Sequence, residues 1–553
     1  MESTAQRNNG TGRKHLAAMI RERGVLLGSQ QRLLSPKGRA NRWMVDMRPL
    51  CMDAAFLDLI AELFWEKFQG ALPFQIGGME VAAIPLICAI ALKGQARGTP
   101  INAFIVRKER KSYGTGNLVE GTLDDSPIIV VDDVMNSGTS LEKVRVILNE
   151  TFHEISQIFV LVDFHSPSGE SWRIKHNIPV HSLTGLPDLG LGLQRARKSQ
   201  SASQFKTEWS YSSPDPNFFH RVPKSFPVTD GRRVYFGSDC GVFWCLDGRS
   251  GSVRWKFRVN ARGHKNIWSA AALHAGGVYF GSYDGNVYRL DAETGAERWR
   301  FIGADWVGSS PAVAPELGLL FIGLEFATAN PRGSIAALSL DTGELMWEKK
   351  TRRFTHASPA YCADGQRVCC GSNDNELFML DAATGNVKWR FATEDKGKAV
   401  GSIRHAPAFD MARGQVVVGC ANGTIYVVDS DTGEEAWTVQ TDNSIYTIPL
   451  IVGENAFVGS TDKYLYVLDL EKRNLKKKIF CGSKVFSPPR FIGEKIYFGA
   501  CNGLIYELDP RSLEITGSHQ LADAVTNAVA YSSETQLFYA LTYVNQLVAF
   551  AKQ

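Results

Sequence analysis

The apolar pattern in one N-terminal stretch predicts a strand, a short loop and a helix in close succession. Four β-branched residues, Ile128–Val131, indicate a buried strand, and Asp132 and Asp133 stand where it ends. A small polar loop with one glycine covers 136–140, and 141–148 has helical spacing. Amides at a loop and helix start can hold a phosphate, and two carboxylates can accept ribose hydroxyls or help to hold magnesium. The stretch predicts a sugar-phosphate site; the alternative is an ordinary strand–turn–helix with solvated aspartates.

Two amphipathic helices and a glycine pair precede this stretch. Helical spacing predicts a first helix over 15–26 and a stronger one over 53–68, with Asp53 as its N-cap and an aromatic stripe typical of a core. Gly77 and Gly78 are predicted to close a short strand before an apolar helix and to present amides to an anion. A simple tight turn is the alternative for the glycine pair.

A basic segment with glycines follows a short apolar strand at 103–106. It contains the cations Arg107, Lys108, Arg110 and Lys111, and then Gly114 and Gly116. Such a charge run is most often a solvated face. Here the glycines predict a mobile loop, and the cations suit a lid that closes over pyrophosphate.

From about residue 205 onward the chain repeats one β-rich unit. Each copy has a short strand, a turn rich in Gly, Asn or Asp, a second strand, a Thr-Gly-type turn and a last strand. Tryptophans on the last strands recur 42 to 48 residues apart and are Trp255, Trp299, Trp347, Trp389 and Trp437. Four strands in a unit of this length predict the blades of an all-β propeller.

The final copy stops before its last strand, and this bears on how the ring closes. The segment FKTEWS, residues 205–210, resembles such an outer strand, with Trp209 in register. We expect it to complete the final blade and so to join the two ends of the domain. The count is then eight blades, and seven is the alternative if the terminal copy is incomplete.

Composition sets the class of protein and its compartment. The chain has 553 residues, of which 44% are hydrophobic and 21% charged, as in globular proteins with two or three domains. A net charge of +4 does not indicate nucleic acid, and no apolar run is long enough for a bilayer. Ten scattered cysteines without zinc spacing, and a polar start, predict a cytoplasmic protein with reduced thiols and no membrane partner.

The N-terminal region resembles type I phosphoribosyltransferases, and its lid resembles that of orotate phosphoribosyltransferases. The motif IIVVDDVMNSGTS carries the first resemblance, and RKERKSYGTGNLVEG, residues 107–121, carries the second. The predicted organisation is a disordered tail at 1–13, an α/β type I phosphoribosyltransferase domain at 14–190, a linker at 191–204 and the propeller at 205–553.

The resemblance implies a set of site residues. Those implied to bind phosphoribosyl pyrophosphate (PRPP) are Asp132, Asp133, Asn136, Ser137, Gly138, Thr139, Ser140, Gly77 and Gly78. Those implied to be catalytic are Arg107, Lys108, Lys111 and Asp133, with Lys111 stabilising the departing charge. Asp132 and Asp133 are also the implied contacts for Mg²⁺ that accompanies PRPP.

The activity that this family implies is a pentosyl transfer from PRPP to an acceptor base, in a homodimer whose loops close over the neighbour's site. The chain departs from the family at three places. The family's SGRKSP-like stretch is altered to SPKGRAN (35–41), so the role of its lysine is not assigned to this chain. Tyr113 stands where a histidine is usual, and Phe164 stands where orotate enzymes commonly carry an arginine. Loss of that carboxylate partner weakens the prediction of orotate as acceptor. The sequence therefore does not name the acceptor base.

The repeat is similar to the quinoprotein (pyrroloquinoline-quinone-type) propellers, through segments such as LDAETGAERW and LDAATGNVKW. The resemblance implies tryptophans packed between blades, a structural role. The adjacent pair Cys369–Cys370 could match the vicinal disulfide of quinoprotein dehydrogenases, but buried strand thiols are the prediction. Without a calcium-ligand set, pyrroloquinoline quinone (PQQ) is not an expected cofactor.

Three functions are therefore open. The first is a phosphoribosyltransferase whose propeller is a binding or sensing scaffold with a protein partner. The second is a non-catalytic nucleotide-sensing or regulatory protein with the propeller as interaction module. The third and least favoured is a quinone-dependent dehydrogenase.

Overall fold

The computed structural model describes residues 12–27, 43–107, 118–192, 204–213, 225–260, 266–327, 332–393 and 401–553. The predicted tail up to residue 11, most of the predicted lid (108–117) and most of the predicted linker (193–203) lie outside the described residues. The chain divides into two compact units, Met1–Arg197 and Lys198–Gln553.

The first unit is an α/β domain. Its helices are 12–19 (α1), Ala54–Phe68 (α2), Ala83–Ala96 (α3), Thr139–Glu150 (α4) and Pro167–His176 (α5). Its strands are Val25–Leu27 (β1), Trp43–Val45 (β2), Gln75–Met79 (β3), Ala103–Val106 (β4), Val119–Gly121 (β5), Ile128–Met135 (β6), Ile155–Asp163 (β7) and Val180–Gly185 (β8). β1 and β2 pair with each other in a separate antiparallel sheet.

The six remaining strands form one sheet in the order β5–β4–β3–β6–β7–β8. All neighbours are parallel except β5, which pairs antiparallel to β4 at the edge. β6 and β7 are buried along most of their length, as expected for parallel strands covered on both faces. The C-terminal ends of β3, β6 and β7 therefore lie side by side, and open parallel sheets bind ligands at such an edge.

The second predicted helix is confirmed in its position and in its cap. The Asp53 side chain accepts a hydrogen bond from the Phe56 amide at 3.0 Å, which satisfies one of the amides at the start of α2. Phe64, Trp65 and Phe68 on this helix are buried, and the Phe64 ring lies edge-on to Phe159 of β7 at 5.1 Å. The aromatic stripe is thus part of the core.

The first predicted helix is wrong at both ends. The described α-helix already includes residue 12, inside the predicted tail, and it ends at residue 19. A π-helical turn, Ile20–Gly24, follows, and the next three residues form β1 rather than a helix continuation. A Cβ at Gly24 would lie 2.8 Å from the tip of the Leu50 side chain, so glycine lets the chain pass close to Leu50 at this bend. Pairing with the distant β2 decides the end of this helix.

The glycine pair does not close its strand, because β3 runs on to Met79. A Cβ at Gly77 would lie 2.2 Å from the Phe104 ring, and one at Gly78 would lie 2.2 Å from the Val131 carbonyl oxygen. Both glycines therefore permit close approach of the neighbouring strands. Residues 80–82, and not the glycines, make the turn into α3.

The second unit consists of eight antiparallel sheets of four strands each, so the prediction of an eight-bladed propeller is confirmed. The first four blades are β10–β13 (Val228–Thr229, Arg233–Gly237, Val242–Asp247, Val253–Arg258), β14–β17 (Ala272–His274, Gly277–Gly281, Asn286–Asp291, Glu297–Ile302), β18–β21 (Ala312–Ala314, Leu319–Phe326, Arg332–Ser339, Leu345–Thr351) and β22–β25 (Ala360–Cys362, Arg367–Gly371, Glu376–Asp381, Val387–Ala392). The last four are β26–β29 (Ala408–Asp410, Gln415–Gly419, Thr424–Asp429, Glu435–Gln440), β30–β33 (Leu450–Val452, Asn455–Gly459, Tyr464–Asp469, Asn474–Phe480), β34–β37 (Arg490–Ile492, Lys495–Gly499, Leu504–Leu508, Ile515–Gln520) and β38–β40 (Ala530–Ser532, Leu537–Leu541, Gln546–Lys552) with β9 (Phe205–Ser212).

The eighth blade is closed by the N-terminal strand of the unit, as predicted. β9 pairs antiparallel with β40 from Phe205 opposite Lys552 to Ser212 opposite Gln546. Trp209 lies opposite Ala549 at a register shift, the position that tryptophan takes in the first five blades. The blade therefore joins the two ends of the propeller sequence.

The tryptophans pack between blades, as the repeat predicts. Trp255 on β13 donates from Nε1 to the carbonyl of Ala292 in the next blade at 3.1 Å. Gly295 in the turn of that next blade has φ of 72°, and a Cβ there would lie 2.6 Å from the Trp255 indole. Glycine is needed both for the backbone conformation and for the space. Lys477 replaces tryptophan in the sixth blade and donates to the Leu513 carbonyl at 2.8 Å.

Candidate functional site

The predicted strand, acidic pair, loop and helix all form at the C-terminal edge of the parallel sheet. Asp132 and Asp133 lie in the second half of β6, and α4 begins at Thr139. The three-residue bend 136–138 joins them. The structure thus places the acidic pair and the small polar loop within one strand–turn–helix unit.

The two carboxylates of the pair are held by the backbone that carries them. Asp132 is 7% exposed and accepts from the Asp133 amide at 3.0 Å, and Asp133 accepts from the Val134 amide at 2.8 Å. Burial raises the pKa of Asp133, and the nearby carboxylate of Asp46 acts in the same direction, while the Val134 amide opposes them. A carboxyl group whose pKa is raised by burial and by a neighbouring carboxylate is typical of a functional site.

Replacement of Asp133 by asparagine is expected to stabilise the first unit near neutral pH. A raised pKa in the folded state means that ionisation of Asp133 opposes folding, with the full penalty above the folded pKa and none below the ordinary value of 3.8. Thermal unfolding of wild type and Asp133→Asn should therefore give a higher midpoint for the variant at about pH 7, and the difference should shrink as the pH approaches about 4. An equal or lower midpoint for the variant at neutral pH would mean that ionisation of Asp133 does not destabilise the folded protein.

The loop after β6 is shaped to present amides. Gly138 has φ of 76°, and the first hydrogen bond of α4 runs from the Glu142 amide to the Gly138 carbonyl at 2.9 Å. The amides just before Glu142 therefore have no acceptor within the helix and point toward its N-terminal end. The hydroxyls of Ser137 and Thr139 lie 2.8 Å apart beside them. Together with the partial positive charge of a helix start, this arrangement can hold a phosphate.

Helix α5 supports this loop from behind, which the sequence did not indicate. The Ser166 hydroxyl donates to the Asn136 carbonyl at 2.6 Å. A Cβ at Gly138 would lie 2.6 Å from the Trp172 ring, so the ring rests on the glycine. Trp172 Nε1 also donates to Glu142 at 2.8 Å. These contacts fix the position of the loop relative to β6.

The structure describes Arg107 at the base of the predicted lid, whereas the other cations of the lid lie outside the described residues. Arg107 donates to Glu120 at 3.1 Å and lies 4.0 Å from Glu80. Its amide donates to the Leu118 carbonyl at 2.8 Å, which ties together the two ends of the lid. Lys108 and Lys111 lie outside the described residues. The catalytic roles of Arg107, Lys108 and Lys111 stay predictions, as do the PRPP-binding roles of Gly77 and Gly78.

The end of β7 contributes an ion pair and an aromatic side chain. Asp163 is 2% exposed and forms an ion pair with Arg173 of α5. Phe164 follows Asp163, and its amide donates to the Met135 carbonyl at 2.9 Å, which keeps it beside the end of β6. The Phe164 ring lies edge-on to Trp43 of β2, with 5.6 Å between ring centroids. β2 thus covers this edge of the sheet.

A magnesium ion would find partial coordination at the acidic pair. Among the described residues, no group of three or more His, Cys, Asp or Glu side chains could hold a metal ion. Mg²⁺ is usually held by one or two carboxylates together with phosphate oxygens of the substrate. Asp132 and Asp133 fit that donor set when a phosphorylated ligand supplies the remaining oxygens.

The propeller has a cavity that all eight blades surround, and its lining is mixed, with apolar, aromatic and charged side chains. The cavity measures about 190 Å³, and all eight blades line it with residues that directly precede their innermost strands. Its chemically distinctive residues are Phe226, Trp268, His356, Arg404, His405 and Asn527. Burial within the cavity wall, together with Arg404, lowers the pKa of His405, so this imidazole is neutral. Sequence reasoning missed the site because these positions differ from blade to blade.

Arg404 carries the charge of this cavity. Its guanidinium lies 5.7 Å from the Tyr446 ring, and Nε donates to the Ser402 hydroxyl at 3.3 Å. Within the part of the chain that the structure describes, it has no carboxylate at ion-pair distance. His356, in contrast, lies 2.9 Å from the buried carboxylate of Glu325. Among the described residues, Arg404 and Arg490, which lies 5.3 Å from the Phe226 ring, are therefore cations next to aromatic rings of this cavity without a carboxylate at ion-pair distance.

The cysteines are thiols throughout. All ten are free, and the adjacent pair Cys369–Cys370 is buried in β23, as predicted. Among the described ranges, every helix falls short of the length and apolar content needed to span a bilayer.

Comparison with known proteins identifies both parts. The family model for the outer membrane protein assembly factor BamB matches residues 200–356, 283–444 and 411–553. Orotate phosphoribosyltransferase of Bradyrhizobium sp. (strain ORS 278) is 33% identical over 170 residues, 30% of this chain and 90% of that enzyme. The Aquifex aeolicus (strain VF5) enzyme is 29% identical over 178 residues, 32% of this chain and 97% of that enzyme.

The solved structures add the fold of the propeller. Europium-containing methanol dehydrogenase is similar with a TM-score of 0.51 at 13% identity, covering 64% of this chain and 94% of that one. At this identity the likeness concerns the fold alone.

The fold and the site define a phosphoribosyltransferase-type α/β domain joined to an eight-bladed propeller. The chain belongs to the orotate phosphoribosyltransferase family over its N-terminal part and to the BamB-type PQQ-repeat family over its propeller. Both resemblances predicted from the sequence are confirmed.

Proposed function

We propose that the N-terminal domain is a phosphoribosyltransferase that uses PRPP and Mg²⁺ and transfers the phosphoribosyl group to an acceptor base. The observation that carries the proposal is the acidic pair of β6, with Asp132 buried and Asp133 half-buried, in the same strand–turn–helix unit as the amides at the start of α4. The amides suit a 5′-phosphate, and the carboxylates suit the two hydroxyls of a ribose.

The residues of the chain have distinct tasks in this proposal. Asp132 and Asp133 orient the ribose so that its anomeric carbon faces the acceptor, and residues 136–140 hold the 5′-phosphate. Mg²⁺ bound with PRPP would neutralise the pyrophosphate and help it to depart. The cations of the lid, Lys111 above all, stabilise the charge that develops on the leaving pyrophosphate. The family resemblance supports a homodimer in which each lid closes over the neighbouring site.

The propeller is proposed to bind or sense a partner. Propellers are typical interaction scaffolds, and the uncompensated Arg404 on the axis supports recognition of an anionic group there. Ten free thiols support a reducing compartment, so we place the protein in the cytoplasm.

A second candidate function is a non-catalytic nucleotide sensor with the propeller as its output. The observation that favours it is Arg107, whose charge at the base of the lid is already balanced by Glu120 and Glu80. A cation committed in this way contributes less to a leaving pyrophosphate. Binding of PRPP is common to both functions, and pyrophosphate release separates them.

Calorimetric titration of the full chain with PRPP in the presence of Mg²⁺ tests the proposal. We expect a dissociation constant of about micromolar, and much weaker binding of ribose 5-phosphate, which lacks the pyrophosphate. A coupled assay for pyrophosphate release, with a panel of bases, follows on the same preparation. Release with at least one base supports the enzyme, whereas binding without release supports the sensor. Absence of PRPP binding would refute both.

A further inference from the structure

The wall of the propeller cavity contains hydroxyl groups that can donate to a ligand. Ser310 and Ser358 line the cavity in the third and fourth blades, and both are half-buried. The Ser310 hydroxyl oxygen accepts from the Ala270 amide at 2.9 Å, and the Ser358 hydroxyl oxygen accepts from the Ser310 amide at 2.9 Å. Each hydroxyl therefore uses its oxygen within the protein and keeps its proton for another acceptor. A ligand at this wall should supply acceptor atoms.

Two arginines add positive charge to the same cavity. Arg404 lines it, and the guanidinium of Arg490 lies 5.3 Å from the ring of Phe226, which also lines it. Arg404 donates through Nε to the Ser402 hydroxyl at 3.3 Å. Within the described ranges, Nη1 and Nη2 of both arginines have no hydrogen-bond acceptor. Guanidinium groups bind phosphate and carboxylate oxygens through such paired N–H donors.

Arg490 is surrounded by protein and is still accessible. The surrounding protein lowers its pKa, because it takes the place of water around the charged guanidinium. The residue nevertheless stays exposed to solvent. An anion that binds there is attracted more strongly than at an open surface, since Coulomb attraction grows as the effective dielectric constant falls.

The carboxylate of Glu325 does not balance these two charges. Glu325 is fully buried, and its carboxylate lies 2.9 Å from His356 of the cavity wall. His405, also in the wall, is neutral because burial and the charge of Arg404 lower its pKa to about 3. The charges of Arg404 and Arg490 together match a doubly charged anion. This favours a phosphate monoester over a single carboxylate.

Apolar side chains beside these donors give the ligand a second part. Phe226, Ile448 and the prolines Pro311, Pro359 and Pro488 line the cavity. A volume of about 190 Å³ admits a small molecule rather than a protein segment. Apolar walls with a few well-placed polar groups are typical of small-molecule sites. A flat ring suits the apolar part, and a phosphate suits the arginines.

From these observations we infer that the propeller cavity binds a nucleoside monophosphate. Its phosphate contacts Arg404 and Arg490, and acceptor atoms of its base receive the hydroxyl protons of Ser310 and Ser358. The inference deepens the proposed sensing role of the propeller. It rests on the proposed phosphoribosyl transfer only for the source of the ligand, because the product of that transfer is a nucleoside monophosphate. No bond is made or broken in the cavity.

Calorimetric titration of the full chain with uridine, adenosine and guanosine monophosphates tests the inference. PRPP and Mg²⁺ are present at saturation, so that the phosphate loop of the first unit is occupied. We expect at least one nucleotide to bind with a dissociation constant of about 100 micromolar or less, and the matching nucleoside, which lacks the phosphate, to bind at least about tenfold more weakly. Failure of every nucleotide to bind would overturn the inference, as would tighter binding of PQQ with Ca²⁺. Pyrophosphate release, assayed separately, decides the phosphoribosyltransferase in either case.

Substitution of the arginines assigns the binding to the cavity. Arg404→Gln/Arg490→Gln is expected to lower the nucleotide affinity at least about tenfold. Lys256→Gln/Arg258→Gln is the matched control, because it removes the same charge from exposed positions of β13, and it should leave the affinity within about twofold of wild type.

Arg490→Gln alone is the variant that disturbs the fold least, because this side chain makes no hydrogen bond within the described ranges. We expect it to give a smaller loss of nucleotide affinity than the double variant. The thermal unfolding midpoint of each variant reports whether the propeller is folded. Equal nucleotide affinity in wild type and in both arginine variants would remove the nucleotide from the cavity and leave the proposed transfer untouched.

Discussion

Replacement of Asp132 and Asp133 together by asparagine is expected to lower the affinity for PRPP at least about 100-fold. Hydrogen bonds to a charged group contribute about 1.5–3 kcal/mol each, and each tenfold change in affinity corresponds to about 1.4 kcal/mol. Loss of one such bond at each carboxylate therefore lowers the affinity for PRPP by more than about 100-fold. The amides at the start of α4 remain, so weak binding of the 5′-phosphate should persist. Calorimetry with PRPP and with ribose 5-phosphate measures both effects.

The chain provides a matched control in Asp124 and Asp125. This second pair of adjacent aspartates precedes β6 in the same domain, and both side chains are exposed. Asp124→Asn/Asp125→Asn removes the same charge from the same unit and should leave PRPP affinity within about twofold of wild type. An equal loss in both double variants would assign the effect to the net charge of the domain. Full affinity in the Asp132→Asn/Asp133→Asn variant would remove the acidic pair from the site.

The donor half of the site could be predicted because it is local in sequence. The strand, the acidic pair, the bend and the start of α4 are contiguous, and each has its own signal: β-branched residues, small polar residues and helical spacing. The helix cap at Asp53 was predictable for the same reason. Its hydrogen bond to the Phe56 amide depends only on residues three apart.

The support of the site could not be predicted, because it joins distant segments. Ser166 and Trp172 act on the loop at Asn136 and Gly138 across about thirty residues of chain. Trp43 reaches Phe164 over a still longer separation. Nothing in the local pattern around a serine or a tryptophan identifies such a partner. The early end of the first helix and the late end of β3 have the same origin, because both segments pair with strands from other parts of the chain.

In the propeller, the sequence repeat made the long-range strand pairing predictable. Each copy repeats the same tryptophan and turn, so the register of one blade predicts that of the next, and the incomplete final copy indicated where the closing strand belonged. The axial cavity does not share this advantage. Its residues stand at equivalent places in the blades but differ in kind, from Trp268 to His356 to Arg404. A sequence repeat predicts the strands and turns of the propeller, but it does not predict the residues that differ from blade to blade, such as those that line the cavity.

Closure of the ring gives the second prediction of large effect. Phe205 of β9 is 4% exposed, and its ring lies 5.8 Å from Phe550 of the same blade and 6.3 Å from Tyr497 of the preceding blade. Trp209 of β9 donates to the Gly248 carbonyl of the first blade at 3.1 Å. The strand therefore connects three successive blades through two side chains. Phe205→Ala/Trp209→Ala should lower the free energy of unfolding of the propeller by about 5 kcal/mol or more, because each large-to-alanine change at a packed site costs about 3–5 kcal/mol.

Trp437→Ala is the matched control for this double variant. Trp437 lies opposite Val427 in the outer strand of the fifth blade, at a register shift like that of Trp209. Unlike β9, this strand does not join the two ends of the propeller sequence. Its indole Nε1 also lacks a hydrogen-bond partner in the described part of the chain. Denaturant unfolding should therefore show a smaller loss for Trp437→Ala than for Trp209→Ala alone, and the largest loss for the double variant. Equal losses for the two single tryptophan variants would mean that closure by β9 adds nothing beyond the packing of one ring.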